Sequence, residues 1–117
     1  MANIQESMVE FERSRTQLMS ISSQKQQLEL QNEALKQAID ELKTTKEEKA
    51  YKAVGNIMIQ KPTKEIAKEL DEQQDSIELR IKTMQKQEDI LIDKLNKLKA
   101  VIEKAQHSKQ TNPQGTA

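Results

Sequence analysis

A chain of 117 residues that is 34% hydrophobic and 32% charged, with one Tyr and one Phe, is too polar and too poor in large rings to close a compact globular core. Nineteen basic residues balance nineteen acidic ones, and no block of like charge is long enough for a nucleic-acid arm or a polybasic membrane anchor, so neither nucleic acid nor a membrane is an expected partner. The absence of Cys removes disulfides, thiol nucleophiles and cysteine-ligated metals, and with no apolar run near the roughly 20 residues of a membrane span and no signal-peptide pattern, the chain reads as a soluble cytoplasmic protein.

The first element, residues 1–45, is expected to be a coiled-coil helix. Apolar residues fall at Ile4, Met8, Phe11, Leu18, Ile21, Leu28, Leu35, Ile39 and Leu42, at spacings of three, four and their sum, seven. Two successive threes, Arg15 to Leu18 to Ile21, predict a stammer that locally overwinds the coil. Asn3 with Glu6 resembles a capping box, Lys43 and Lys46 suit the negative end of the helix dipole, and a helix of about 40 residues would measure roughly 60 Å.

Residues 46–62 break the helical period. Tyr51, Val54, Ile57 and Ile59 are good strand formers on either side of Gly55-Asn56, a pair able to take the positive φ angles of a two-residue hairpin turn. Such a turn sends the following helix back along the first. A lone pair of strands is marginal in water and leaves both edges open, so this hairpin is expected to pair with hairpins of other chains.

The second helix is predicted over 63–107. Leu70, Ile77, Met84, Leu91, Leu98 and Ala105 repeat every seven residues, with Ile66, Ile81, Leu95 and Ile102 beside them, which is a sustained heptad pattern. Pro62 disfavours helix at Lys61, Thr63 is a candidate N-cap, and Glu65 suits the first turn. Residues 108–117, with Asn-Pro and Gly-Thr, read as a disordered tail. The expected fold class is mainly α: a long antiparallel two-helix coiled coil joined by one β-hairpin.

Antiparallel pairing with the hairpin as hinge joins residues whose numbers sum to about 108, such as Leu42 with Ile66. Several apolar residues are then surplus to the seam, namely Val9, Met19, Ile90, Ile92 and Val101, and all lie in the half farther from the hairpin. Leu30 is the main exception. The same half carries Arg15, Ser22, Lys25 and Glu88 in or beside the seam, which should loosen packing and leave apolar area for a partner. Isolated apolar side chains are also ordinary on any surface, and Met84 reads as seam filling.

Catalytic chemistry finds no foothold. Two glycines rule out a phosphate-cradling loop, the single His107 has no ligand-spaced companions, and Glu47-Glu48 and Asp71-Glu72 would stay hydrated on a surface without a cleft. Neither an enzyme, a cofactor nor a metal is expected.

The stretch Tyr51-Lys-Ala-Val-Gly-Asn-Ile-Met-Ile at the hinge, Thr63-Lys-Glu-Ile-Ala-Lys-Glu-Leu70 opening the second helix, and Ile81-Lys-Thr-Met-Gln-Lys-Gln-Glu88 within it resemble the β-type subunit of prefoldin, most closely the archaeal form. The likeness covers the chain from about Ile4 to Ala105. It implies a heterohexamer of two α-type and four β-type subunits, whose hairpins join into an intersubunit β-barrel platform bearing six coiled-coil arms. The arm tips of that family hold unfolded polypeptides without ATP and pass them to a group II chaperonin. Carried onto this chain, the resemblance implies assembly contacts at Tyr51, Val54, Gly55, Ile57, Met58 and Ile59, and client contacts at Ile4, Met8, Val9, Phe11, Val101, Ile102 and Ala105. Competing expectations are a structural coiled-coil adaptor that scaffolds a folded partner, and a parallel two-chain zipper in which the insert is a kink.

Overall fold

The computed structural model describes the backbone of residues 3–116 and the side chains of residues 3–107. Helix α1 (Ile4–Thr44) leads into strand β1 (Lys49–Val54), strand β2 (Ile57–Pro62) and helix α2 (Thr63–Thr116). Asn3 caps α1, its side-chain Oδ1 accepting the Glu6 N–H at 2.8 Å, which satisfies one of the amides a helix start leaves over. The end of α1 is marked by Thr44, whose hydroxyl turns back to the Asp40 carbonyl at 3.1 Å. The helical backbone of α2 extends to Thr116, through residues expected to form a tail; the side chains of 108–117 lie outside the described residues.

The chain divides into two compact units, one of residues up to Gln24 with those from Met84 onward, the other Lys25–Thr83. Within the first unit, Lys94 donates to Glu10 and the Ser22 hydroxyl donates to Glu88. As numbers rise along α1 they fall along α2, so the two helical segments run antiparallel. Within the second, Lys43 reaches Asp71 at 3.9 Å and Thr63 meets Glu47 and Glu48, again antiparallel. A parallel two-chain zipper is therefore excluded. Leu28, Ile39, Ile66 and Ile77 form the buried apolar core of this second unit.

The seam of α1 differs from the expected one. Its buried and half-buried face runs through Ile4, Ser7, Phe11, Ser14, Leu18, Ile21, Lys25, Leu28, Asn32, Leu35, Ile39 and Leu42, an unbroken alternation of three and four. Ser7 is only 4% exposed, whereas Met8 is 46% exposed; Ser14 is fully buried and Arg15 is on the surface. The predicted stammer does not occur, because small hydroxyl side chains hold seam positions that an apolar count skips.

The turn also departs from expectation in one detail. Gly55 has φ +60° while no non-glycine residue among the described ones has positive φ, so only the first central residue is left-handed. With Val54 opposite Ile57 across a two-residue loop, this is the II′ arrangement, in which Gly takes the first central position and Asn56 needs no special backbone.

Candidate assembly hairpin and distal apolar surface

The antiparallel register sets Tyr51 opposite Gln60, Lys52 opposite Ile59, Ala53 opposite Met58 and Val54 opposite Ile57. Opposed residues share a face and alternate along each strand. One face therefore carries Lys49, Tyr51, Ala53, Met58, Gln60 and Pro62, and the other Ala50, Lys52, Val54, Ile57, Ile59 and Lys61. Tyr51, Val54, Ile57, Met58 and Ile59 are 40–66% exposed. Among the described residues the sheet has two strands only, so both of its edges stand open there. Five large apolar side chains distributed over both faces of an open-edged hairpin make a surface that asks for covering on both sides.

The base of the hairpin is closed by Thr63. Its hydroxyl, a candidate cap from sequence, donates to the Glu47 carbonyl at 2.8 Å, and its amide donates to the Glu48 carbonyl at 2.8 Å. One buried residue thus ties the entrance of the insert to its exit.

The hairpin is tied to α2 by a contact that the sequence reading missed. Glu69 accepts Lys52 Nζ on one carboxylate oxygen at 2.7 Å and Lys61 Nζ on the other at 3.0 Å, with Glu65 a looser partner of Lys61 at 3.9 Å. The hydrogen bond from Lys52, then that from Lys61, holds the Glu69 carboxyl below the usual carboxylate range, and the bond to Glu69 raises the Lys61 ammonium above its ordinary value. The available signal was positional: Glu65 and Glu69 sit one turn apart on α2, and a two-residue turn puts Lys52 and Lys61 on one face.

In the unit of the chain termini, the expected contact residues divide by burial. Met8, Val9 and Val101 are exposed, whereas Ile4, Phe11, Ile102 and Ala105 are half-buried seam positions. Met19, Ile90 and Ile92 are exposed as well, and Ile90 lines an open groove of about 340 Å³ with Gln17, Ser20, Ile21, Gln87 and Leu91. The seam here is polar at intervals: Ser14 has a buried hydroxyl with no hydrogen-bond partner among the described residues, and Glu88 is buried. Among the described residues no group of His, Asp and Glu side chains could hold a metal, and no helix is long and apolar enough to cross a membrane.

A family model described as a prefoldin subunit matches residues 5–109. The chain belongs to the prefoldin subunit family. Among curated relatives, the prefoldin subunit beta of Methanospirillum hungatei is 37% identical over 87 residues, covering 74% of this chain and 72% of that one. That of Archaeoglobus fulgidus is 36% identical over 89 residues, 75% and 77% of the respective chains. The crystal structure of the prefoldin beta subunit from Thermococcus strain KS-1 superposes with a TM-score of 0.82 at 29% identity, covering 90% of this chain and 96% of that chain. Two long helices joined by a single antiparallel hairpin are thus the prefoldin β-type architecture, and the hinge Tyr51-Lys-Ala-Val-Gly55 lies at its bend. The prefoldin match also takes in Phe11, Val101, Ile102 and Ala105, while Ile4 precedes it by one residue.

Proposed function

We propose that this chain is the β-type subunit of a prefoldin hexamer, two α-type and four β-type subunits, whose hairpins join into β-barrels through Tyr51, Val54, Gly55, Ile57, Met58 and Ile59. Its partners are then an α-type subunit, further β-type copies, unfolded client polypeptides and a group II chaperonin of the cytoplasm. The single observation that supports this best is the open-edged hairpin with its five exposed apolar side chains, in a chain of the prefoldin family. The complex works as a holdase, without ATP and without catalysis.

Client capture falls to the unit of the termini, at Ile4, Met8, Val9, Phe11, Val101, Ile102 and Ala105. Each copy offers a few hundred Å² of apolar surface at most, several kcal/mol at about 25 cal/mol per Å² before the entropy of ordering arm and client is subtracted. Several such contacts acting together give high avidity, while each releases easily, so handover to another chaperone needs no nucleotide. Met8 and Met19, flexible and polarisable, suit clients of varied shape.

The test is to dilute a chemically unfolded protein into buffer containing the assembled oligomer, without ATP, and follow light scattering. Suppressed aggregation supports capture; undiminished aggregation by an intact oligomer supports a structural adaptor for a folded partner. Replacing Ile57 and Ile59 together by Asp should dissociate the oligomer in native mass measurements while leaving helix content intact. Persistence of that oligomer would overturn the assembly role of the hairpin.

A further inference from the structure

The two strands carry Lys49, Lys52 and Lys61 and no acidic residue. Lysines on open strand edges are a common means of keeping unrelated edges apart, and two copies of such an insert approach one another as like charges. Lys52 and Lys61 stand on the same hairpin face as Val54, Ile57 and Ile59, a face that a neighbouring hairpin has to cover. Burying an ammonium without a counter-charge is costly, so these lysines stand in the way of the contact that the apolar residues favour.

Both lysines are instead drawn to Glu69, one to each carboxylate oxygen, at 2.7 Å and 3.0 Å. The three side chains are 30–39% exposed, less than the apolar residues further toward the turn. We propose that Glu69 is a positioning residue for assembly: an internal counter-charge that folds Lys52 and Lys61 down against α2, so that an incoming hairpin meets an apolar, charge-compensated face. The inference rests on the reading of the hairpin as the joining element. Glu65, 3.9 Å from Lys61, can retain that lysine if Glu69 is neutralised, so Lys52 is the group that loss of Glu69 releases most. Half-buried but still reached by solvent, these two ion pairs add little to the stability of the single chain. Its effect is on what the next subunit encounters.

The experiment uses the chain co-produced with an α-type prefoldin subunit and reads subunit dissociation by native mass spectrometry across a salt series, with circular dichroism as the check on folding. Glu69→Gln should assemble about tenfold more weakly at low salt, and assembly should return at high salt, where repulsion between exposed lysines is screened. It should also return at low salt in the triple variant Glu69→Gln with Lys52→Gln and Lys61→Gln. Assembly of Glu69→Gln at wild-type strength would overturn the proposal. So would weak assembly that neither salt nor removal of the lysines restores, because a mere fold anchor behaves that way. The double variant Ile57→Asp with Ile59→Asp separates the two readings: if it assembles normally the joining role of the hairpin falls and this proposal with it, whereas if it dissociates and Glu69→Gln does not, only the role of Glu69 falls.

Discussion

Replacing Ser14 by Ala should stabilise the unit formed by the chain ends, the reverse of what most substitutions at a buried site do. The Ser14 hydroxyl has no accessible surface and no partner among the described residues. A buried polar group left without a hydrogen bond costs about 1–3 kcal/mol, and that cost vanishes with the oxygen. Ala is also the better helix former, by roughly half a kcal/mol. Against these stand the contacts of one lost atom, a few tenths of a kcal/mol. The net expectation is a gain of about 1–3 kcal/mol. Ser23, on the exposed surface of the same helix, serves as control, since Ser23→Ala carries only the helix-propensity gain. Urea unfolding followed by far-UV circular dichroism compares the two, and hydrogen exchange across residues 10–24 locates the effect. If Ser14→Ala proved no more stable than Ser23→Ala, the hydroxyl would have to be satisfied in solution and the burial argument would fail.

The remaining predictions test other parts of the molecule. Gly55→Ala should cost about 1–2 kcal/mol in backbone strain at φ +60°, because within the chain a Cβ there meets nothing within 4 Å; Gly55→Asn should cost less, and thermal melts of the unassembled chain would rank them. Glu10 is held below the usual carboxylate range by the hydrogen bond from Lys94 and then by its charge. A carboxyl depressed in the folded state contributes stability above its unfolded pKa, and that contribution is lost as pH falls through the folded value. Wild type and Glu10→Gln should therefore differ slightly in melting temperature at neutral pH and converge in acid; a difference that widened in acid would contradict the assignment. Replacing the exposed Met8, Val9 and Val101 by Ser should weaken suppression of aggregation severalfold while assembly and helix content stay as in wild type, and unchanged suppression would move the client surface toward Ile90 and Ile92.

The two strands, their turn and the seven-residue period of α2 were legible in the sequence because each rests on residues whose preference is local: Gly55 at a left-handed position, aliphatic residues around it, and Leu at regular intervals. The seam of α1 was read less well. Searching for apolar residues alone selects Met8 over Ser7 and takes Arg15 for a seam position, which manufactures a phase slip. The true period was present in two interleaved series of sevens, Ile4, Phe11, Leu18 and Ile21, Leu28, Leu35, Leu42, which leave Ser7, Ser14, Lys25 and Asn32 between them. Polar residues at such positions are invisible to a hydrophobic pattern yet obey it. For the candidate contact residues, the sequence did not show burial: Val9 and Val101 are exposed while Phe11 and Ile102, one or two positions away, turn inward. The Glu69 contact needed the strand register before Lys52 and Lys61 could be seen to share a face.

The grip of Thr63 on Glu47 and Glu48 makes the insert a cassette with its own latch. Strand residues inside the latch can change without altering where either helix enters or leaves. Related chains could thus diverge in their choice of neighbours by rewriting a short loop of sequence, while the helices that flank it keep the spacing on which their own pairing depends.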